Sequence, residues 1–121
     1  MNIPDKNEEV ACFWFAAFNA HDLEQLLALY AEDAWHFSPK LQIMRPETEG
    51  LIAGKPALRS WWQDAFLRLP ELHYEPISIT SNEERAFMEY LRQVPEEADM
   101  RVAEVLEIKA GKIIASRVYH G

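Results

Sequence analysis

Four ionisable residues that could take part in proton transfer fall on one face of a predicted sheet, among apolar and aromatic neighbours: His36, Arg92, Glu104 and His120. Charged side chains are rarely buried without a partner, so this placement is unusual. A carboxyl group removed from water has a raised pKa, and a histidine provides a second titratable group. The pattern predicts acid–base chemistry, with Glu104 as the acid or base and His36 as its proton partner or as a donor to a substrate oxygen.

The same face is predicted to line a pocket with apolar walls, because the aromatic residues recur on the buried sides of the predicted helices and strands. Such a pocket suits a small, largely apolar organic ligand. The residues predicted to bind and orient it are Trp14, Ser38, Tyr90, Arg92, Val118 and His120.

Each of these ionisable residues also has a structural interpretation. Glu104 can pair with Arg92 across neighbouring strands, and His36 can be a half-buried histidine bonded to the backbone. His120 lies next to the last residue of the sequence, where side chains are often exposed. Under this interpretation the protein is a non-catalytic ligand-binding or dimerisation module.

Metal or nucleophilic chemistry is not predicted. His36, Glu104 and His120 do not lie at the close spacing of a metal motif, so neither a metal nor another cofactor is expected. Nucleophilic triads, phosphate-binding glycine loops and Cys-x-x-Cys motifs are absent from the sequence. The single cysteine, Cys12, lies in an apolar helical pattern and is predicted to be a small buried residue.

The charge balance restricts the partners. The net charge is −8, and Lys and Arg occur singly, so neither nucleic acid nor an anionic membrane surface is an expected partner. No apolar run approaches the roughly 18–20 residues of a membrane span, and the N-terminal residues lack the pattern of a signal peptide. A cytoplasmic location is therefore expected.

Three helices are predicted from apolar residues at three- and four-residue steps. Asp22 is the predicted N-cap of the second helix, and Pro56 suits the first turn of the third. Residues 39–53 are predicted to be a long loop with at most a short strand in "LQIM". The buried stripes are Val10, Phe13, Trp14, Ala17 and Phe18, then Leu23, Leu26, Leu27 and Tyr30, then Leu58, Trp61, Trp62, Ala65, Phe66 and Leu69.

After Leu72 the apolar period changes from three or four to two, which predicts strands. "AWHF" is an earlier short strand, and Pro76 implies a bulge or an edge position. Helices followed by a mostly antiparallel sheet indicate a single α+β domain over residues 1–121. The later strands are "LHYEPISIT", "RAFMEYLRQV", "MRVAEVLEIK" and "KIIASRVYHG", and the tight "AGK" turn predicts that the last two form a hairpin.

The outer face of this sheet is predicted to be too apolar for contact with water alone. A second subunit is the expected cover, which predicts a homodimer through the convex sheet face. The outward residues are Phe87, Glu89, Leu91, Ala103, Val105, Glu107, Ala115, Arg117 and Tyr119.

The segments "FNAHDLEQLLALYAEDAWHFSP", "GKPALRSWW" and "EVLEIKAGKIIASRVYHG" together resemble the nuclear transport factor 2-like superfamily. The nearest likeness is to its SnoaL-like polyketide cyclases and ketosteroid isomerases, and it covers nearly the whole chain. The resemblance implies a curved sheet wrapped by helices into a cone, a ligand pocket at the open end, and usually a homodimer. Activity does not follow from this fold, which hosts both enzymes and non-enzymes.

The resemblance also implies positions for catalytic residues, and most of them differ here. Ketosteroid isomerases place a tyrosine, a basic aspartate and a protonated aspartate where this chain has Trp14, Ser38 and Glu104. Serine cannot shuttle a proton as that aspartate does, so steroid isomerisation by that mechanism is not expected. Val118 replaces the last-strand aspartate of limonene epoxide hydrolases. Glu104 remains, with His36, which the relatives do not obviously share.

Overall fold

A computed structural model describes residues 3–120, with side chains from residue 5, and within this range it contains four α-helices and one six-stranded sheet. A single 3₁₀ turn, Pro46–Thr48, lies in the same range. The helices are α1 (Ile3–Asn19), α2 (Leu23–Ala28), α3 (Pro39–Met44) and α4 (Lys55–Arg68), and the strands are β1 (Tyr30–Phe37), β2 (Leu51–Ala53), β3 (His73–Ser81), β4 (Arg85–Gln93), β5 (Met100–Lys109) and β6 (Lys112–His120).

The sheet has the strand order β2-β1-β6-β5-β4-β3 and confirms the predicted α+β class. Only the β1–β6 pair is parallel among the described strands. β5 and β6 form the predicted hairpin through Ala110 and Gly111, both with positive φ, which suits the twist of a two-residue turn. Pro76 lies in the edge strand β3 next to a register shift, so both of its predicted features are present.

The helices cover one face of the sheet and bury its apolar side chains. Trp14 and Phe18 of α1 and Trp62 of α4 are each less than 5% exposed. Burial of a large apolar side chain contributes roughly 1.5–3 kcal/mol, so these residues are a main source of stability. Asp22 is the N-cap of α2, as predicted, and its carboxylate accepts a hydrogen bond from the Gln25 amide at 3.1 Å.

The segment 39–53 is not the predicted long loop. Ser38 is the N-cap of α3, where its hydroxyl accepts a hydrogen bond from the Lys40 amide at 3.2 Å. Pro39 fits the first turn of that helix because its missing N–H would have no partner there. The predicted "LQIM" strand is the end of α3, and β2 lies later, at Leu51–Ala53.

Three residues of the first two predicted helices differ from the prediction in secondary structure or in burial. Tyr30 begins β1 instead of ending α2. Phe13 is 54% exposed, while Phe15 is buried in its place. Cys12 is exposed, which contradicts its predicted burial, because it lies beside Phe13 on the side of α1 turned away from the sheet.

The outer face of the sheet is more mixed than predicted. Phe87 and Tyr119 are nearly half exposed, but Val105 and Ala115 are buried between larger side chains of neighbouring strands. Ion pairs also cross this face, from Arg101 to Glu89 at 3.0 Å and from Arg117 to Glu107 at 2.7 Å.

Candidate functional site

A cavity of about 240 Å³ opens between the inner face of the sheet and helices α1, α3 and α4. All eight residues predicted from the sequence to act or bind lie in its lining: Trp14, His36, Ser38, Tyr90, Arg92, Glu104, Val118 and His120. Further lining residues are Phe18, Lys40, Met44, Trp61, Trp62, Ala65, Arg68, Leu69, Leu72, Tyr74, Glu97 and Val102.

Among the lining residues we distinguish a buried set, called the floor, and a set at the surface, called the mouth. The floor consists of Trp14, His36, Tyr90 and Glu104, each 3% exposed or less. The mouth contains the lining residues with polar or flexible side chains at the surface: Lys40, Met44, Arg68, Glu97 and His120.

Glu104 is a buried carboxyl group with one free oxygen. The Tyr90 hydroxyl donates a hydrogen bond to its Oε1 at 2.7 Å, and Tyr90 reaches it diagonally from the neighbouring strand. Its Oε2 has no hydrogen-bond partner among the described residues. Burial raises the pKa of Glu104 to about 8, and the hydrogen bond from Tyr90 opposes this rise only in part. The group is therefore mostly protonated at pH 7.

Arg92 does not neutralise Glu104. The register partner of Glu104 on β4 is Met88, four residues from Arg92, which is roughly 13 Å along a strand. The ion-pair partner of Arg92 within the described residues is Glu97, at 3.7 Å. The structural interpretation of Glu104 as the partner of Arg92 is therefore wrong, since strand parity placed both on one face but did not give their distance along it.

His36 ends a buried chain of hydrogen bonds. The Trp14 indole N–H donates to the Tyr30 hydroxyl at 3.1 Å, and Tyr30 donates to the Ser116 hydroxyl at 3.1 Å. Ser116 lies beside His36 on the neighbouring strand, with 2.6 Å between its oxygen and Nδ1. This chain, and not the backbone contact of the structural interpretation, holds the imidazole.

The direction of this hydrogen-bond chain indicates the tautomer of His36. An indole nitrogen can only donate, so Tyr30 accepts from Trp14 and donates its own hydrogen to Ser116. The single hydroxyl hydrogen of Ser116 then has Nδ1 of His36 beside it as an acceptor, and we assign this hydrogen bond as donated by Ser116. His36 therefore carries its proton on Nε2, the ring nitrogen left for the cavity that the histidine lines.

His36 is also held in its neutral form. Burial lowers its pKa to about 3, because an imidazolium would lose its hydration there. Its ring lies 5.3 Å from that of Trp62, in an apolar wall. At neutral pH His36 thus offers an uncharged N–H donor and no readily available base, since Nδ1 already accepts from Ser116.

Stacked aromatic rings form the wall beside Glu104. Tyr74 lies between Phe18 and Tyr90, with ring centroids 4.0 and 4.2 Å apart, and Trp14 stacks on Phe18 at 5.3 Å. Such packing fixes side-chain rotamers, so the apolar wall is formed before any ligand binds.

Some of the lining was predicted less well from the sequence. Ser38 has a structural role as the cap of α3 in addition to its position at the cavity. His120 is exposed at the mouth instead of buried on the inner face. Lys40 was not predicted because it lies in the segment expected to be a loop. Ser116 contacts His36 directly and Tyr30 contacts it through Ser116. The alternation of Ser116 with the buried Val118 on β6 was the available signal for Ser116, whereas Tyr30 followed the pattern of the preceding helix.

The described residues form neither a membrane-spanning helix nor a metal-binding cluster. Within residues 3–120 no helix is both long and apolar enough to cross a membrane. The same range contains no group of three or more His, Cys, Asp and Glu side chains placed to hold a metal ion.

Comparison with known families identifies the domain. Residues 13–116 match the SnoaL-like domain family, which is most of the chain. The chain belongs to this family. The match confirms the resemblance seen in the helix pair and in the last hairpin. No curated protein matches the sequence.

Solved structures share the fold of this SnoaL-like protein at low identity. A SnoaL-like protein from Burkholderia thailandensis is 22% identical, with a TM-score of 0.87 over 97% of this chain and 95% of the other. A candidate ketosteroid isomerase from Kribbella flavida is 17% identical, with a TM-score of 0.81 over 98% and 79%. A candidate polyketide cyclase from Sinorhizobium meliloti is 18% identical, with a TM-score of 0.77 over 92% and 94%. At these identities the likeness establishes the fold alone.

Proposed function

We propose that this SnoaL-like protein binds a small, largely apolar organic molecule and moves a proton on it, as in an isomerisation, a cyclisation or a related enolisation. The observation that carries the proposal is Glu104, a buried acid in the cavity floor with one oxygen free and a pKa of about 8. A proton carrier works best when its pKa lies near the working pH. Two fold neighbours carry the names of ketosteroid isomerase and polyketide cyclase, which supports this reaction class.

The two floor residues take different parts in such a reaction. The neutral His36 donates its Nε2–H to a carbonyl oxygen of the ligand, where negative charge develops. The ionised fraction of Glu104 removes a proton from the adjacent carbon: a C–H bond breaks, an O–H bond forms on the carboxyl group, and the electron pair moves to the oxygen. Return of the proton to another carbon completes an isomerisation and restores the carboxylate. No oxidant or reductant is consumed.

The cavity size favours a compact ligand. Its volume of about 240 Å³ lies just below the range of about 300–1,000 Å³ that is common for ligand pockets. A molecule with one or two rings therefore suits it, oriented by Trp14, Tyr90 and the aromatic wall. The mechanism differs from that of ketosteroid isomerases, because Ser38 stands where their basic aspartate lies and caps α3 instead.

Hydrogen–deuterium exchange on 2-tetralone tests this proposal without knowledge of the natural substrate. This two-ring ketone has acidic C–H groups next to its carbonyl, and NMR in D₂O follows their exchange. We expect the protein to accelerate the exchange over buffer and Glu104→Gln to lower the acceleration by about 10²–10⁴-fold, with binding retained. Glu89→Gln, on the outer face, is the matched control and should exchange like the unmodified protein.

The non-catalytic alternative makes the opposite prediction in the same experiment. If 2-tetralone raises the melting temperature by binding the folded state while its exchange rate stays at the buffer value, the protein is a ligand-binding module. If Glu104→Gln accelerates the exchange as much as the unmodified protein does, Glu104 does not take part in the proton transfer.

We also propose a homodimer through the convex face of the sheet. Phe87 and Tyr119 expose large apolar surfaces there, and Leu91 and Ala103 on the same face are half-buried. The cross-strand ion pairs of Glu89 and Glu107 satisfy the charges around these residues. An apolar centre with a paired, charged rim is the usual composition of a protein interface.

A further inference from the structure

The mouth of the cavity is cationic, although the protein as a whole carries a net charge of −8. Lys40 and Arg68 lie at the mouth and the buried Arg92 lies next to it, and all three line the cavity together with Glu97, the one carboxylate among the described mouth residues. The chain has only twelve Lys and Arg residues, so three of them at one opening is a local concentration against the overall charge. Clefts lined by one sign of charge attract ligands of the other sign.

Arg92 is the most confined of these cations. Its side chain is 9% exposed, whereas Glu97, the carboxylate that faces it, is 55% exposed and 3.7 Å away. That distance is beyond a normal hydrogen bond, so the pair is loose. A guanidinium has five donors and binds a carboxylate most strongly with two parallel hydrogen bonds. Among the described residues nothing supplies such a two-point contact to Arg92.

Lys40 is the second cation that can bind an anion beside Arg92. It is half-buried, and no ion pair of its ammonium group occurs among the described residues. Burial lowers its pKa, and the nearby charges of Arg92 and Arg68 add to this, while Glu97 opposes them. Lys40 therefore lies in the positive field of both arginines, and a bound anion would relieve this repulsion.

We propose that the ligand is an apolar monocarboxylic acid whose carboxylate binds Arg92 and Lys40 at the mouth, while its apolar body reaches the floor. This assignment rests on the proposed function for its inner end, where His36 and Glu104 meet a carbonyl group. Glu97, 3.7 Å from Arg92, competes with the ligand carboxylate for this guanidinium group.

The local charge balance favours one negative charge over two. Asp64 pairs with Arg68 at 2.7 Å, and Glu97 pairs loosely with Arg92. Three cations and two carboxylates leave one net positive charge, which a carboxylate neutralises. A phosphate with two negative charges would leave a negative excess in a partly buried place, which is costly.

Three naphthalene probes of different charge test the assignment: 2-naphthoate, its near-isosteric neutral amide 2-naphthamide, and the doubly charged ester 2-naphthyl phosphate. Calorimetric titration at low ionic strength gives the dissociation constant of each. We expect 2-naphthoate to bind about ten- to a hundredfold more tightly than 2-naphthamide, as a charge-assisted contact predicts, and more tightly than the phosphate.

Substitutions then locate the contact. Arg92→Gln and Lys40→Gln should each weaken 2-naphthoate binding by tenfold or more and leave 2-naphthamide nearly unchanged. Glu97→Gln should strengthen 2-naphthoate binding, because it removes the competing carboxylate. Arg101→Gln is the matched control: it removes the same charge from the outer face, where Arg101 pairs with Glu89, and should change neither affinity.

The possible results separate this inference from the proposed function. Equal binding of 2-naphthoate and 2-naphthamide would overturn the carboxylate assignment and leave the acid–base floor intact. Tighter binding of 2-naphthyl phosphate would overturn the choice of a single negative charge. If Arg92→Gln fails to fold, the opposite changes expected of Lys40→Gln and Glu97→Gln still decide the question. Glu104→Gln should leave the preference for 2-naphthoate unchanged, so a failure of the catalytic proposal is seen only in the exchange experiment.

Discussion

Burial raises the pKa of Glu104 and lowers the pKa of His36. The neutral form of each side chain is therefore favoured at pH 7. Each is surrounded by apolar walls, so the charged form is unfavourable in both cases. A neutral carboxyl group and a neutral imidazole present two hydrogen-bond donors to the cavity at pH 7. In the proposed reaction His36 donates to the carbonyl oxygen while the ionised fraction of Glu104 acts on the carbon beside it, which is why a ketone suits this floor better than a second acid.

The two shifted pKa values predict a flat-topped dependence of stability on pH. The pKa of Glu104 is raised from 4.5 to about 8, so the folded protein holds an extra proton and loses stability as the pH rises through this range. The pKa of His36 is lowered from 6.5 to about 3, so stability is lost as the pH falls through that range. Between pH 4.5 and 6.5 the two slopes cancel.

Unfolding by urea at a series of pH values checks this prediction. Glu104→Gln should remove the contribution of Glu104, which falls by roughly 5 kcal/mol between pH 4.5 and 8 at about 1.4 kcal/mol per pKa unit, so the decline above pH 6.5 should disappear. His36→Asn should remove the contribution of His36, so the decline below pH 4.5 should disappear, and it keeps an acceptor for Ser116. Other groups contribute equally to each pair of curves. Variant curves parallel to that of the unmodified protein would show that neither group has a shifted pKa.

The hydrogen-bond chain from Trp14 through Tyr30 and Ser116 to His36 predicts that replacing Ser116 changes the tautomer of His36. Ser116→Ala removes the donor to Nδ1, so His36 should become a mixture of both tautomers, and 2-tetralone should bind more weakly. Tyr30→Phe keeps the contact between Ser116 and His36 and should have the smaller effect. Nitrogen-15 NMR of the imidazole reports the tautomer directly. A proton on Nδ1 in the unmodified protein would contradict the donor role of His36.

The sequence predicts the site only as far as the alternation of side chains along each strand, here called strand parity, determines which face of the sheet a residue occupies. Alternation on β4, β5 and β6 correctly placed Tyr90, Arg92, Glu104 and Val118 on the cavity side. Parity does not give the offset between strands, so the separation of Arg92 from Glu104 was not predictable. Nor does it show which hydroxyl groups meet, which is why the chain through Ser116 appeared only in the structure.

Among the secondary-structure elements, helices α3 and α4 contribute most of the residues at the mouth of the cavity. α3 carries Lys40 and Met44, and α4 carries Arg68 at its C-terminal end. α3 has only six residues, too few to be stable alone, so it depends on its cap and on the buried Leu41. Loss of the cap should therefore disturb the position of Lys40.

Replacement of the Ser38 cap tests this dependence. Ser38→Ala removes the acceptor for the Lys40 amide and should lower the free energy of unfolding by about 0.5–2 kcal/mol. It should also weaken 2-naphthoate binding through Lys40. Ser60→Ala, at an exposed position inside α4, is the control and should leave both quantities nearly unchanged. Equal stabilities of the two variants would mean that the cap contributes nothing to α3.

Most elements were predictable because their apolar periods are clear. The long stripes of α1 and α4 and the period of two after Leu72 gave these helices and four strands nearly to their ends. α3 was missed since a six-residue helix shows barely more than one turn of pattern. Its two start signals, Ser38 and Pro39, come directly after β1, where a proline equally suits the end of a strand.

At the scale of the molecule, the curved sheet separates two functions. Its inner face and the helices enclose the cavity, and its outer face, which no helix of residues 3–120 covers, carries the proposed dimer contact. The cavity lining contains no residue of the outward set, so binding and dimerisation can be altered independently.

Phe87 provides the most direct test of the dimer. Its side chain is 45% exposed on the outer face, between Thr80 and Val105, so Phe87→Asp should cost little in folding. In an interface core the same change leaves an unpaired charge and should convert the dimer to a monomer, which sedimentation at micromolar concentration detects. Leu67→Asp is the control: Leu67 is 77% exposed on α4, away from the sheet, and the dimer should persist. An unmodified protein that sediments as a monomer would refute the proposed dimer, whereas a monomeric Phe87→Asp variant that binds 2-tetralone normally would show that the cavity is complete within one chain.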